Sequence, residues 1–207
     1  MANDNRVKAG IPGSHKPRLL VKFDELDFSG ALEPLKQHRG VYFPYTPNIT
    51  TGFGANYGTY DTTHSVYQQH YYVNTPNPTI SIQATFAANT VKEAQYSAAA
   101  LHFFKTMTKM DFGKNAKRPG LPPPLLTFSA YGDMNFLNVP VVLTSYDMTL
   151  SEEHNYVTTT IGNSEVSLPT SFVVSLTLGV QQTPSEVTKN FSFNDYANGS
   201  LIKGGFI

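Results

Sequence analysis

The side chains that could carry out chemistry are few and scattered. The chain of 207 residues contains six histidines, 15 Asp and Glu residues and no cysteine. Without cysteine, disulfides, thiol catalysis and cysteine-ligated zinc are excluded. No two histidines stand four residues apart, so a zinc site of the H-E-x-x-H type is absent. The sequence also lacks a nucleophile elbow, a phosphate-binding loop and a dinucleotide fingerprint.

The remaining candidates for a catalytic or metal site do not converge in the sequence. His64 and His70 are an even number of residues apart and could share a strand face, but no carboxylate has the spacing that would complete a metal site. Asp111, Asp133 and Asp147 lie at turns or strand ends, where carboxylates usually cap backbone N–H groups. We therefore expect no catalytic, cofactor-binding or metal-binding residue. A hydrolase on a β scaffold is an alternative that would need a converging acid–base pair.

The charge balance argues against a strong electrostatic partner. Lys plus Arg equals Asp plus Glu at 15 each, which creates no overall field for nucleic acid or a membrane surface. No apolar run approaches the roughly 20 residues that cross a bilayer, and residues 1–18 have no apolar core of the signal-peptide kind. We expect one soluble domain, made in a cytoplasm, with no membrane partner.

One helix is predicted, over about residues 90–112. Thr90 and Glu93 have the spacing of a capping box, and Gly113 follows as a helix-terminating residue. Apolar residues recur between them at steps of four, three, four and three, and form the predicted core face: Tyr96, Ala100, Phe103, Met107 and Met110. A single amphipathic helix among strands needs a sheet to receive its apolar side.

The rest of the chain is typical of an antiparallel β protein. Tyr, Phe, Thr, Asn and Gly are abundant, and charged residues are only 14%. Residues 79–86 and 171–181 alternate apolar and polar side chains, as half-buried strands do. Residues 125–131 and 136–150 are predicted to form a hairpin, with the long strand interrupted at Pro140, and residues 151–170 a second hairpin.

Three regions follow from this pattern: an N-terminal arm at 1–40, a β domain at 41–190 and a C-terminal tail at 191–207. Residues 1–22 carry Arg6, Lys8, Lys16, Arg18 and Lys22 against one acid. Such an arm is either flexible and solvated or ordered against a neighbouring subunit.

The segment Pro47–Asp61 is predicted to be a loop, because it contains Gly52, Gly54 and Gly58. It also contains large aromatic side chains, at Phe53, Tyr57 and Tyr60. Aromatic residues in a glycine-rich loop indicate either a contact surface for assembly or an anchor that folds back on the domain's own core.

Four segments, in this order and spacing, resemble one known family. They are YFPYTPNITTGFGANYGTYDTTHSVYQQHYY, AAALHFFKTMTKMDFG, GLPPPLLTFSAYGD and FLNVPVVLTSYDMTL. The chain from about Val41 to Val180 resembles the baseplate tail-tube junction proteins of contractile-tailed phages, namely the tail-tube initiator and its neighbouring baseplate tube protein. This chain is shorter than many large-phage relatives, which carry additional domains.

The resemblance implies a tail-tube-like fold, an antiparallel β-sandwich or barrel with one flanking helix. It implies that six copies close into a ring, whose inner sheets join around a DNA channel, and that residues 47–61 stack along the axis. The implied partners are further copies of the chain, the tail-tube protein, the baseplate hub and neighbouring baseplate tube proteins. DNA would be passing cargo and the location the virion.

A carbohydrate-binding β-sandwich of a phage tail is the other alternative from a different class. It predicts exposed aromatic residues gathered in one concave patch with Asp and Asn beside them, and the tyrosine-rich segments permit this.

Overall fold

A computed structural model describes residues 19–23, 26–113, 119–132, 135–150, 155–161 and 164–207. The strands are β1 Leu19–Lys22, β2 Gly40–Tyr42, β3 Asn48–Gly52, β4 Asn56–Tyr60, β5 Gln69–Asn74, β6 Thr79–Ala87, β7 Leu126–Ala130, β8 Phe136–Leu150, β9 Tyr156–Ile161, β10 Ser164–Pro169 and β11 Ser171–Val180. The helices are α1 Val91–Met107, α2 Pro184–Asn190 and α3 Phe193–Ala197, with 3-10 turns at Gly30–Leu35 and Ser200–Gly204.

The fold is mainly antiparallel β with a few helices. Seven strands form one sheet in the order β2-β1-β7-β8-β11-β6-β3, and β9–β10 and β4–β5 form two separate hairpins. The predicted alternation of β6 and β11 is confirmed: the side chains of Ile80, Ile82, Leu176 and Leu178 are buried, while the residues between them are exposed or half-buried. The sheet therefore has one apolar face, which forms the core, and one polar face.

The sheet is strongly curved. β2 and β3 lie at its opposite edges, yet only residues 43–47 connect them. Seven flat strands would put the edge strands about 29 Å apart, whereas this connection reaches about 21 Å at most. The Tyr131 hydroxyl, just after β7, accordingly reaches the Pro47 carbonyl before β3 (3.3 Å). The described strands of the two edges do not pair, so the sheet is rolled but not closed.

Helix α1 packs beside the β2 edge of the rolled sheet. It packs against the first 3-10 turn, β2 and β6, and against the β9–β10 hairpin on another side. The Phe104 ring lies 6.2 Å from Phe43, beside the sheet edge, and 5.8 Å from Tyr146 on β8. The predicted capping box of Thr90 and Glu93 is present. Because two layers cover the helix, its buried side chains extend beyond one stripe.

The helix is shorter than the predicted 90–112. It ends at Met107, and the hydroxyls of Thr106 and Thr108 donate to the carbonyls of His102 and Lys105 in its last turn. Ala100, Phe103 and Met107 are buried and Tyr96 is half-buried, whereas Met110 lies past the helix and is 50% exposed. Met110 is therefore not part of the helix core face.

The region boundaries also differ from the predicted ones. Residues 19–40 belong to the fold rather than to an arm, because β1 is central to the sheet and Leu32 and Leu35 are buried. The predicted tail contains α3 and a 3-10 turn, and Phe206 is buried. Pro140 does not interrupt β8, and the predicted loop 47–61 contains β3 and β4. Residues 1–18, and residues 162–163 within the predicted second hairpin, lie outside the described residues.

The buried end of α1 provides the first test of the fold. We expect Met107→Asp to destabilise the domain by roughly 3–5 kcal/mol, because it buries an unpaired carboxylate. Met110→Asp is the matched control, since Met110 is half exposed and a carboxylate there stays hydrated. Urea unfolding of both variants measures the difference. Equal, small losses would contradict the assignment of Met107 to the core.

Candidate assembly surface

The structure places the candidate catalytic residues that it describes on separate elements and does not bring them together in one site. Among the described residues, no group of three His, Asp or Glu side chains could hold a metal ion. His70 lies on β5 opposite Thr59, and His64 lies in the turn before β5. Asp111 forms a β-bridge with Leu121, Asp147 lies on β8, and Asp133 is outside the described residues. The described part of the chain contains no helix of the length and apolarity needed to cross a membrane.

Strands β3, β6, β11 and β8 share one polar face. Most of its side chains are small, uncharged and hydroxyl- or amide-bearing; the exceptions include the carboxylate of Asp147 and the apolar side chains of Pro140, Val142 and Val173. The hydroxyl- and amide-bearing side chains include Asn48, Thr50, Ser81, Gln83, Thr85, Ser171, Ser175, Thr177, Ser145 and Thr149. A shallow hollow of about 230 Å³ lies on this face, between Thr50, Ser81, Gln83 and Ser175. No Lys, Arg or aromatic side chain lines it.

This four-stranded layer has an unpaired edge on each side. Within the described residues, β3 pairs only with β6. β8 pairs with β7 through residues 136–141, so its second half, Leu143–Leu150, pairs only with β11. A one-residue bulge at Thr144, opposite the step from Thr177 to Leu178, separates the two halves. Unpaired N–H and C=O groups on an edge strand favour the addition of another strand.

The third edge, β2, is closed by a side chain of α1. The Tyr42 N–H donates to the Tyr96 hydroxyl oxygen (2.7 Å), and the same hydroxyl donates to the Tyr42 carbonyl (2.9 Å). Tyr96 thus takes the place of a partner strand at this residue. Burial, the main cause, raises the pKa of Tyr96 well above its usual range. By contrast, the buried Tyr146 hydroxyl has no hydrogen-bond partner among the described residues, and desolvation raises the pKa of Tyr146 to about 12.

The β4–β5 hairpin projects from the end of this layer, between the end of β3 and the start of β6. Residues 53–77 are all exposed except Gly58, which is half-buried. The sequence-predicted residues Phe53, Tyr57 and Tyr60 are 63%, 61% and 61% exposed, so they do not fold back on the core. Tyr57 and Tyr60 lie on β4, and Phe53 lies between β3 and β4.

The hairpin is held in shape by its own side chains. The Asn56 amide donates to the Asn74 amide oxygen at the base (2.8 Å), and the Gln68 amide donates to the Asp61 carboxylate near the tip (2.7 Å). The rings of Tyr57 and Tyr72 meet edge to face at 5.9 Å. The hairpin is therefore ordered by its own hydrogen bonds and ring contact. A protruding binding element benefits from such order, because a pre-formed element loses less entropy when it binds.

Most of the exposed large apolar side chains lie at the same end of the layer as the hairpin. β11 ends beside the start of β6, since the Val180 N–H donates to the Pro78 carbonyl (3.1 Å), and the C-terminal helices follow from there. The additional exposed side chains at this end include Tyr67, Tyr71, Tyr72, Leu125, Val187, Phe191, Phe193 and Tyr196. Such a concentration marks an interaction surface.

Sequence reasoning missed several of these residues. Tyr71 and Tyr72 lie on β5, and their exposure follows from the pairing of that strand with β4 alone among the described strands. Phe191, Phe193 and Tyr196 lie in the predicted tail, where an aromatic cluster in a Gly- and Asn-rich segment was the available signal. The edge-closing role of the Tyr96 hydroxyl has no sequence signal, because Tyr42 is 54 residues away.

Among known proteins, this chain is similar to solved structures. No family model and no curated protein matches the chain. Among solved structures, the chain is similar to one described as the tail of an empty GTA particle, computed with helical refinement and C6 symmetry. The two are 13% identical, the match covers 80% of this chain and 92% of the other, and the TM-score is 0.37. A score this low does not establish a shared fold or family.

The hydrogen bonds of Tyr96 give the second test. We expect Tyr96→Phe to lower the free energy of unfolding by roughly 1–3 kcal/mol, because it leaves the N–H and C=O of Tyr42 unpaired. Tyr146→Phe is the matched control: it removes a buried hydroxyl that has no partner, so its cost is near zero or it stabilises. Urea unfolding compares the two, and an equal effect would contradict a role for the Tyr96 hydroxyl.

Proposed function

We propose that the protein is a structural, non-enzymatic component of a phage tail. Its copies form a ring, which the sequence resemblance implies to be hexameric. The ring joins the baseplate hub to the tail tube and initiates tube polymerisation around the DNA channel. The observation that carries the proposal is the pair of unpaired edges, β3 and the second half of β8, on opposite sides of one polar layer.

The strand directions of this layer suit ring closure. β3, β6, β11 and β8 alternate in direction, so β3 and β8 run opposite to one another. If the ring axis is parallel to the strands, rotating one copy onto the next leaves the direction of each strand unchanged. β3 of one copy would therefore meet β8 of the next as an antiparallel partner. A head-to-tail contact that closes by rotation gives a ring, and a closed ring leaves no free edge.

The polar face of the layer suits a channel for DNA. Duplex binding depends on Lys and Arg contacts that release counterions from phosphates, and the described face has none. Neutral hydroxyl and amide groups would leave the phosphates hydrated, so DNA passes through rather than binds. The protein would be found in the virion after assembly in the host cytoplasm.

Axial contacts would be made by the hairpin end. Phe53, Tyr57 and Tyr60 are proposed as the stacking residues toward the adjacent ring, which consists of tail-tube protein or a neighbouring baseplate protein. Their exposure, together with the pre-formed hairpin, supports this assignment.

The alternatives have less support. A carbohydrate site would gather aromatic residues in one hollow, but no aromatic side chain lines the hollow on the sheet face. A hydrolase would need a converging acid–base pair, and the described candidates lie on separate elements, with His70 on β5, Asp111 at the bridge to Leu121 and Asp147 on β8.

The size of the particle in solution distinguishes a ring-forming tail component from a carbohydrate-binding domain. We expect negative-stain microscopy and light scattering of the purified, concentrated chain to show rings with a central channel. A monomer with affinity for glycans would instead support the carbohydrate-binding alternative and contradict the proposal.

The hairpin residues are expected to act in assembly and not in folding. Replacing Phe53, Tyr57 and Tyr60 together by Ser should change the unfolding free energy by less than about 0.5 kcal/mol and prevent stacking on the adjacent ring in micrographs of the chain mixed with the protein of that ring. Phe86→Ser, which removes a fully buried ring, is the control and should lose both stability and assembly. If the triple variant lost both stability and assembly, these residues would belong to the domain's own core.

The isolated protein is expected to have negligible affinity for duplex DNA at physiological salt. Fluorescence anisotropy with a labelled duplex measures this for the full chain and for a chain lacking residues 1–18. A salt-sensitive affinity that disappears with the truncation would assign DNA contact to the basic N-terminal residues. An affinity that survives the truncation would contradict a neutral channel.

A further inference from the structure

Strand β8 has one side without a strand partner in each of its two halves, and these two sides are opposite ones. The first half pairs with β7, and its other side has no strand partner among the described residues, because β11 ends at Val180 opposite Val141. The second half pairs with β11 and lacks a partner on the side that β7 occupies in the first half. Both sides therefore present backbone groups that favour pairing with another chain.

The C-terminal residues lie against the partnerless side of the first half. The Gln181 N–H continues the β11–β8 ladder by one step and donates to the Pro140 carbonyl (3.0 Å). After α2 and α3 the chain returns to this place, where a Cβ atom on Gly205 would lie 2.7 Å from the Asn138 carbonyl oxygen and 3.0 Å from Pro140 Cδ. The Gln182 amide donates to the Gly205 carbonyl (2.8 Å) and joins the two ends of the segment.

The segment between these two contacts adds almost nothing to the core. No residue of 183–204 is buried, whereas Gly205 and Phe206 are. The Phe206 ring lies 6.2 Å from the ring of Phe191, on the way back from α2. Ordering a segment costs conformational entropy, and this segment buries none of its own side chains in return. What it contributes therefore lies at its end, where Gly205 and Phe206 cover β8.

Two residues of the first half hinder strand pairing as well. Pro140 has no N–H to donate to a neighbouring strand. Asn138 has a left-handed backbone (φ 53), and its N–H donates to the Ser129 hydroxyl oxygen (3.0 Å). The second half, residues 143–150, contains neither a proline nor a residue of positive φ. One partnerless side of β8 is thus obstructed and covered, and the other is left open.

We propose that residues 181–207 act as an edge guard, which closes the first half of β8 within its own chain and restricts pairing between copies to the second half. The inference rests on the proposed function, because the partner at the second half is a second copy of the chain. It adds a role for the C-terminal segment in selecting the edge that pairs. Without the edge guard, both halves of β8 offer backbone groups, so copies join in more than one way and grow beyond a ring.

Two adjacent glycines provide a matched pair of full-length variants. Gly205 has a φ of +78° and no room for a Cβ atom, so Gly205→Val forces the edge guard away from Asn138. A Cβ atom on Gly204 would make only an ordinary contact with the Phe206 ring (3.6 Å), so Gly204→Ala leaves the edge guard in place. Gln182→Ala is a milder second variant, since it removes only the amide that donates to the Gly205 carbonyl.

The displacement is measured before the assembly. Circular dichroism and urea unfolding select the folded variants, and hydrogen exchange of residues 199–207 reports whether the edge guard has left β8. We expect faster exchange in Gly205→Val and Gln182→Ala than in Gly204→Ala. An edge guard that stays in place in both of the first two variants would overturn the role assigned to the Gly205 contact.

Light scattering and negative-stain microscopy then compare the particles at equal concentration. We expect the variants with a displaced edge guard to form irregular particles with a mean mass about twofold or more above that of Gly204→Ala, because both halves of β8 then pair. Particles of unchanged size would overturn the inference and leave the proposed ring intact. If the unmodified chain formed no ring, the proposed function would be contradicted, while the difference between Gly205→Val and Gly204→Ala would still test the edge guard.

A cross-link locates the new contact, because the chain contains no cysteine. Leu137→Cys, in the first half of β8, is combined with Gly205→Val and separately with Gly204→Ala, and a short bis-maleimide is added. Denaturing electrophoresis should show linked dimers only in the Gly205→Val background. Enlarged particles without this product would place the new contact elsewhere and overturn the inference.

Discussion

The short connection between β2 and β3 is the constraint on which the rest of the structure depends. Five residues hold together two strands that a flat sheet would place on opposite sides, so the sheet must roll. Rolling turns the apolar faces of all seven strands inward and leaves a gap between β2 and β3. Helix α1 places Phe104 between Phe43, beside the β2 edge, and Tyr146 of β8, and its Tyr96 hydroxyl satisfies the backbone N–H and C=O of Tyr42.

The same arrangement divides the edges of the sheet into closed and open ones. The β2 edge is occupied at Tyr42 by α1, whereas β3 and the second half of β8 keep one free side within the described residues. The polar layer between the open edges has almost no charge, and the hairpin extends from one end of that layer. Edge pairing and channel lining thus use separate surfaces of the same four strands, and axial contact uses the hairpin at their end, which is what the proposed ring requires.

The local parts of the fold were predictable from the sequence. β6 and β11 alternate with a period of two over nine or more residues, and Thr90 and Glu93 cap α1, because these signals depend on neighbouring residues. β3 was missed because its Asn, Thr and Gly residues form a strand only by pairing with β6, about 30 residues later. The end of α1 was placed too late, since the spacing of Met110 continues the apolar period although the helix ends at Met107. Phe53, Tyr57 and Tyr60 were identified as exposed aromatics, but the β4–β5 pairing that displays Tyr57 and Tyr60 depends on a register that the sequence does not encode locally.

The bulge at Thr144 has a consequence for the way one strand can serve two purposes. A bulge bends its strand and increases the local twist, so β8 follows β7 in its first half and turns away from it in its second half. In the proposed ring, the second half of β8 is the edge that would meet β3 of the next copy. A single inserted residue therefore separates the part of β8 that builds the domain from the part that would join two copies.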